Sequence, residues 1–414
     1  MECLFFYKVF LPEAENQVKR YFGMNISKKA LSRNRFGFSN SKKKFGINYW
    51  RFIFSGVNAV TSQEQMFFVE FSMVNPWNSP SETLLGFKPR IKITQEDLQY
   101  ALAGTESAKN LQTESIVVPS YCSVKMGMMG ENAKQLCSYF PVKSIKFKQK
   151  PFEIEIGNKY FSETKISGFL NTSAEENNEH PEYFGNAGYA TWNLEYEVLS
   201  SFADGYKDKT SFWFPFGLQC TFSGKINFDG TDYIVDPRRS LGFIERYWGK
   251  TLPQPWFHIS ALNLSSLITG KTLLDSAFAV KGAFNGELSF VSNIQGRTIS
   301  FTADKAKKTF TSIWNCIQAP ETENVEDNKL HWSVSLNSRD WIIDIDLYCK
   351  IKDLFNRTIE LPDGNRKIMN ILEGAAGIGE IKLFRKIKDT LEQIEHAKII
   401  KAVCEFGQQE EGEI

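Results

Sequence analysis

The sequence predicts an all-β protein of two tandem β-barrel or β-sandwich domains with few short helices. Three observations lead there. Period-2 alternation of apolar and polar residues recurs along most of the chain. Aromatic residues make up 14% of it, with 35 Phe, 14 Tyr and 9 Trp, and such side chains pack well on a pleated, half-buried surface. At 414 residues the chain is also longer than one hydrophobic core ordinarily serves. We place the domains at 1–205 and 206–414, because Ser200 to Thr210, with Asp204-Gly205 and alternating charges, has the composition of a link.

The strand signals come in order. A hairpin runs from Trp50-Arg51-Phe52-Ile53-Phe54 through Ser55-Gly56-Val57-Asn58 and a polar turn into Met66-Phe67-Phe68-Val69-Glu70-Phe71. Phe152 to Ile156 leads to Gly157-Asn158, and Lys225 to Phe228 leads through Asp229-Gly230 to Tyr233-Ile234-Val235. Asp-Gly is a favoured two-residue hairpin turn. The best helical candidates are Gln95 to Ala103, Glu131 to Tyr139 and part of Ile387 to Val403, too few for crossover helices. The polar, acidic stretch from Ser162 to Ala190 is expected to be a long surface loop. Trp50 before Ser55-Gly56-Val57-Asn58 is echoed by Trp256 before Ser260-Ala261-Leu262-Asn263, which a duplicated plan or chance similarity of two hairpins explains equally.

A net charge of +1 gives no field for nucleic acid, and no folded nucleic-acid motif is present, so the expected partner is a hydrophobic small molecule. Seven cysteines in odd number and without a CxxC pair suggest reduced thiols and a cytoplasmic protein. The apolar start from Leu4 to Leu11 holds Lys8 and is followed by no small-residue cleavage site, so a signal peptide is not expected. No window reaches the ~18 uncharged apolar residues of a membrane span. The basic segment from Lys28 to Lys44, without an acid and interleaved with Phe36 and Phe38, suits either a solvated loop or peripheral contact with an anionic membrane.

The most distinctive stretch runs from Ser223 to Asn263, where Asp236, Arg238, Arg239, Glu245 and Arg246 lie among Tyr247, Trp248 and Trp256. Charges among so many aromatics are either paired structurally or held at a site. The succession Gly224, Gly230, Tyr233, Asp236, Glu245, Arg246, Trp248, Gly249, Pro253 and Trp256 resembles the tocopherol-cyclase-like proteins, which are related more distantly to AttH and carotenoid hydratases of lipocalin-like fold. The resemblance extends to Trp50 through Asn75-Pro76, to Phe161 to Thr164, to Trp192 and to Gly374-Ala375-Ala376-Gly377-Ile378-Gly379. It departs at Tyr247, where relatives commonly carry Asn before the Trp-Gly, and it identifies a superfamily, not a substrate.

The resemblance implies two lipocalin-like domains and closure of a ring by acid-initiated addition to an alkene, without a metal or redox cofactor. A carboxylic acid desolvated among aromatics has its pKa raised and can serve as the proton donor, and aromatic faces attract developing positive charge. Asp236 or Glu245 is the preferred acid, though either could pair with Arg239 or Arg246; Asp275 is a third candidate. Tyr247, Trp248, Trp256, Trp192, Trp50 and His258 are the expected substrate-binding residues, with core packing the competing role for Trp248 and Trp256 and for His258. His180, His258, His331 and His396 are isolated from one another, so no zinc site is expected. The glycine-rich run lacks the Lys-Ser/Thr ending of a phosphate loop and suits a tight bend at a barrel rim. Two functions fit: a cyclase or hydratase acting on a prenylated or polyene molecule, or a non-catalytic carrier of a hydrophobic ligand.

Overall fold

A computed structural model describes residues 26–35, 46–76, 81–86, 99, 103, 118–283, 287–302, 309–321, 324, 327–364 and 368–409. The all-β class is what these residues adopt. The helices among them are short: α1 (Lys28–Asn34), α2 (Ala174–Glu179) and α3 (Pro181–Phe184).

The first sheet contains β1 (Ile47–Asn58), β2 (Glu64–Val74), β3 (Tyr121–Met129), β4 (Lys134–Phe140), β5 (Ile145–Gln149), β6 (Phe152–Ile156), β7 (Lys159–Ser162), β8 (Lys165–Thr172), β9 (Gly188–Ser200), β10 (Tyr206–Lys207), β11 (Ser211–Phe228), β12 (Thr231–Val235) and β13 (Leu241–Gly249). The second contains β14 (Trp256–Ser266), β15 (Thr272–Leu273), β16 (Ala277–Ala283), β17 (Glu287–Ile294), β18 (Arg297–Phe301), β19 (Phe310–Gln318), β20 (Lys329–Ser338), β21 (Trp341–Lys350), β22 (Phe355–Glu360), β23 (Ile368–Ile387) and β24 (Thr390–Gln409).

Hairpin chemistry sets much of this order. At the β11–β12 turn, Asp229 (φ 48°) and Gly230 (φ 83°) take the left-handed pair of conformations that a two-residue hairpin needs. Both sheets curl. In the first, β4 comes round against β8; in the second, Phe257 of β14 meets Trp314 of β19 with ring centres 4.6 Å apart.

Strand alternation then sorts side chains into three layers. Trp50, Phe52 and Phe54 of β1 point into the first sheet's interior with Phe71, Phe161, Trp192 and Phe222. Phe257, Ile259, Phe290, Trp332 and Leu347 fill the second. Between the sheets lies a third core, containing Tyr49, Ile53 and Phe68 from one side and Trp256, Ala279 and Met369 from the other.

Four expectations need correction. The sheet boundary falls between Gly249 and Trp256, not at 205/206, because β11 to β13 pair with β1 and β9 in the first sheet. The proposed link therefore lies inside that sheet, where Tyr206 pairs with Trp213. Glu131 to Tyr139 and Ile387 to Val403 form strands where helices were expected. The first is drawn into pairing with β3. The second lies between β14 and β23, with Glu395, Ala397 and Ile399 buried in alternation; tertiary pairing outweighs helix propensity. Ser162 to Ala190 is not a loop but contains β8, α2 and α3, with Tyr183 and Phe184 buried. Gln95 to Ala103 lies almost wholly outside the described residues.

The glycine-rich run sits inside the continuous strand β23, at the point where its partner changes from β22 to β21. Its register against β24 slips between Gly374 and Gly379. A Cβ on Gly379 would lie 1.9 Å from the carbonyl oxygen of Asp346, so only glycine permits this approach.

Leu347 is fully buried in the second sheet's core, whereas Ile313 on the same sheet is 77% exposed. Leu347→Ala is expected to cost about 2–5 kcal/mol in urea unfolding, and Ile313→Ala within about 0.5 kcal/mol of nothing. Equal costs would contradict this layering.

Candidate active site

The layer between the sheets is aromatic, as a core should be, and also charged. On β1, Arg51 falls between Tyr49 and Ile53 on the face turned to the second sheet, and its register partner on β2 is Glu70. β13 brings Glu245 to the same face, between Phe243 and Tyr247. Across the seam stand His258 (β14), Lys281 (β16), Arg357 (β22), Glu373 (β23) and Glu405 (β24). All eight are at most 2% exposed.

Burying an ion costs several kcal/mol unless it is paired, and the pairing here joins the sheets. Arg357 Nη2 donates to Glu70 Oε2 at 2.5 Å, and its Nη1 lies 3.5 Å from Glu405 and 3.8 Å from Glu373. Arg51 donates to Glu373 and stands 3.4 Å from Glu70. Burial pushes the Glu70 carboxyl up, but Arg357, Lys125 and Arg51 outweigh it and hold the group below the usual range. Glu405 is likewise held low against burial, by His258, Arg357 and Lys281. Burial drives Glu373 upward, Arg51 opposing.

Aromatic groups line these charges. Trp213 Nε1 donates to Glu245 Oε2 at 2.6 Å, and Trp256 Nε1 donates to Glu405. Tyr49 stacks on Tyr247 with ring centres 5.3 Å apart. The Lys281 Nζ lies 2.9 Å from the centre of the Trp256 ring, with no hydrogen-bond partner among the described residues. Burial pulls its ammonium down to about 7, with Glu405 and Glu245 resisting.

A narrow cleft, with a free volume of about 20 Å³, opens from one end of this network. Tyr49 and Glu70 form its inner end; Tyr121, Tyr139, Tyr183, Lys125 and Glu360 stand around the rest. Glu360, the last residue of β22, is 5% exposed. It accepts hydrogen bonds from the Gly86 N–H (2.6 Å) and the Tyr183 hydroxyl (3.1 Å). A Cβ on Gly86 would collide with the carboxylate at 2.2 Å. Burial pushes the Glu360 carboxyl up to about 7, although Tyr183, Gly86, Tyr121 and Lys125 all favour the ionised form. Lys125 Nζ meanwhile donates to the Thr358 carbonyl at 2.9 Å.

Of the residues expected at a site, the seam gathers Glu245, Tyr247, Trp256 and His258. Asp236 is elsewhere, in the turn after β12, held by Arg238 at 2.7 Å and lowered to about 2 by hydrogen bonds from Arg238. Asp275 lies in the turn between β15 and β16 beside Ser276. Neither faces the aromatic seam. Trp50, Trp192 and Trp248 turn into the first sheet's core, where Trp50 donates to the Asn34 carbonyl and carries the Arg246 guanidinium 3.8 Å above its ring. Glu360 and the tyrosines escaped the sequence reading, as did Glu70, Arg51, Arg357, Glu373, Glu405 and Lys281. Their signal was a single charge at the inward position of an otherwise apolar strand, as in Val69-Glu70-Phe71 and Cys404-Glu405-Phe406.

Among the described residues no group of three or more His, Cys, Asp or Glu is placed to hold a metal ion, and no helix is long and apolar enough to cross a membrane. The described part of the basic segment is turned to the protein: Lys29 and Arg33 pair with Asp204 at 2.7 and 2.6 Å, and Arg35 pairs with Glu163. Residues 36–45, including Lys42 to Lys44, lie outside the described residues.

No family model and no curated protein matches the chain. Among solved structures it is similar to an AttH-type protein from Nitrosomonas europaea, at 9% identity and a TM-score of 0.41, over 87% of this chain and 92% of that one. It is also similar to kievitone hydratase from Nectria haematococca, at 10% identity and a TM-score of 0.40, over 86% and 88%. At this identity and overlap neither likeness bears on what the present chain does.

Two outcomes follow from the seam. Arg357→Met leaves three carboxylates short of a shared cation and is expected to cost about 3–5 kcal/mol in urea unfolding at pH 7. Because Glu70 and Glu405 are held low when folded, that stability is present above their unfolded pKa and lost as pH falls through the folded values. Glu360 has the opposite sign: its raised folded pKa makes wild type lose stability relative to Glu360→Gln as pH rises from 4.5 to about 7. The change should be on the order of a few kcal/mol, and parallel pH profiles would contradict the assigned burial of Glu360.

Proposed function

We propose that the protein is an enzyme that adds a hydroxyl, or water, across an alkene of a hydrophobic small molecule, with Glu360 as the proton donor. The observation that supports this is a carboxyl group protonatable near neutral pH in a tyrosine-lined cleft. A general acid works best when its pKa lies near the working pH, and Glu360 is moved there by desolvation.

The reaction balances without an oxidant or reductant. The Glu360 proton forms a new C–H bond at one alkene carbon, leaving cationic character at the other. Aromatic faces stabilise such charge, and Tyr121, Tyr139 and Tyr183 stand around the acid. Oxygen from a hydroxyl of the same molecule closes a ring, or water adds; that oxygen's proton then returns to the Glu360 carboxylate. In the first case the product has the substrate's mass. Ring closure is the chemistry that the sequence resemblance to tocopherol-cyclase-like proteins implies, and prenylated quinols or polyenes are the corresponding substrate class.

Glu245 remains in this scheme as a structural group. It is closed in by Trp213 and sits in the sealed part of the seam, whereas Glu360 lines the cleft.

Incubation with a panel of prenylated quinols and polyenes, read by chromatography and mass spectrometry, checks this. Glu360→Gln is expected to lower turnover by about a hundredfold or more, while Asp236→Asn, altered at an exposed turn, stays near wild type. Ligand retained without conversion across the panel would favour the carrier function instead. Conversion undiminished in Glu360→Gln would remove this residue as the acid.

A further inference from the structure

A second opening lies on the far side of Tyr139 from the cleft. The curl of the first sheet brings β4 against β8 without a hydrogen-bonded ladder between them, and this leaves a groove of about 440 Å³. Its sides are Cys137 to Phe140 on β4, Asn158 and Lys159 at the β6–β7 turn, Phe169, Asn171 and Thr172 on β8, and α2 and α3 with Glu176 and Phe184.

Lys159 is the unusual member. The residue is 7% exposed, with its stem covered and its Nζ left accessible in the groove; among the described residues it has no ion-pair partner, and the Nζ rests 4.5 Å from the centre of the Phe140 ring. Lysine is almost never buried to this extent without a counter-charge. Burial also holds its ammonium below the usual lysine range. The rest of the groove is amphipathic. Phe169 is 39% exposed although it is a large apolar side chain, Phe184 and Leu85 add apolar surface, and Asn158 and Asn171 supply amides. Glu176, the acid in the lining, is exposed on α2.

We infer that this groove binds an amphiphilic monocarboxylate, its head group paired with Lys159 and its apolar body lying along Phe140, Phe169 and Phe184. One cation in the lining calls for one negative charge. A phosphate, carrying nearly two, would find no second cation there. The Phe140 face orients the ammonium, and an entering carboxylate supplies the charge-assisted hydrogen bond that Lys159 lacks. This site does not depend on the reaction assigned to Glu360.

Isothermal titration of the full chain with decanoate and with 1-decanol tests it. Decanoate is expected to bind saturably at one site, about tenfold or more tighter than decanol. Lys159→Met should weaken decanoate by a similar factor and leave decanol unchanged, and Lys159→Arg should retain decanoate. Phe169→Asp places a negative charge at an already exposed position, so it should fold and still lose decanoate. Equal affinity for acid and alcohol, decanoate binding unchanged in Phe169→Asp, or no saturable binding would each overturn the assignment.

Discussion

Arg357 stands where the two sheets meet and touches carboxylates from both. Glu70 belongs to the first sheet, Glu373 and Glu405 to the second, and a single guanidinium lies within 4 Å of all three. A hydrophobic seam would hold two curled sheets together in many relative positions, since apolar burial is non-directional. A planar donor shared among carboxylates holds them in one. The register of the seam follows: Tyr49 on Tyr247, Trp256 against Tyr49, and Lys281 over Trp256 all lie within the frame this network fixes. The cleft at its edge inherits that rigidity, with Glu70 shared by network and cleft alike.

Alternation on β1 explains how one strand serves both jobs. Its even-numbered residues Trp50, Phe52 and Phe54 build the first sheet's interior, and its odd-numbered residues Tyr49, Arg51 and Ile53 build the seam. β13 repeats the division, with Ile244, Arg246 and Trp248 against Phe243, Glu245 and Tyr247. A strand buried on both faces loses the usual apolar-polar alternation. That is why the stretch from Leu241 to Gly249 looked like a single aromatic site in sequence, while in the fold its members face opposite ways.

The same geometry sets what was legible. Hairpins closed by Asp229-Gly230 and Gly157-Asn158 could be read locally, because the turn residues and flanking strands are adjacent in sequence. The sheet boundary could not: β12 and β13 return across some 175 to 200 residues to pair with β1, and nothing in Ser200 to Thr210 records that pairing. The proposed acid was hidden for a related reason. Glu360 follows Thr358-Ile359 at a strand end and carries no motif; its raised pKa comes from burial among residues distant in sequence, against the opposing hydrogen bonds of Tyr183, Gly86 and Tyr121. Asp236 drew attention through its aromatic neighbours along the chain, whereas in the fold Arg238, two residues away, ties it up.

Three buried groups thus reach about 7, Lys281 from above and Glu373 and Glu360 from below, and the surroundings of Lys281 and Glu360 assign them different work. Lys281 loses the preference for its charged form because water is excluded, and it remains sealed beneath Trp256. The proton it would exchange has no evident route to a ligand. Glu360 gains a preference for its neutral form by the same exclusion, but it lines a cleft and is held in place by a backbone N–H and a tyrosine hydroxyl. Perturbed titration alone marks a place where burial and charge compete; an opening beside the group is what turns that competition into usable acidity. On that distinction the carboxyl proposed as the proton donor is the one at the seam's edge, and the fully enclosed charges are the frame that keeps the edge in position.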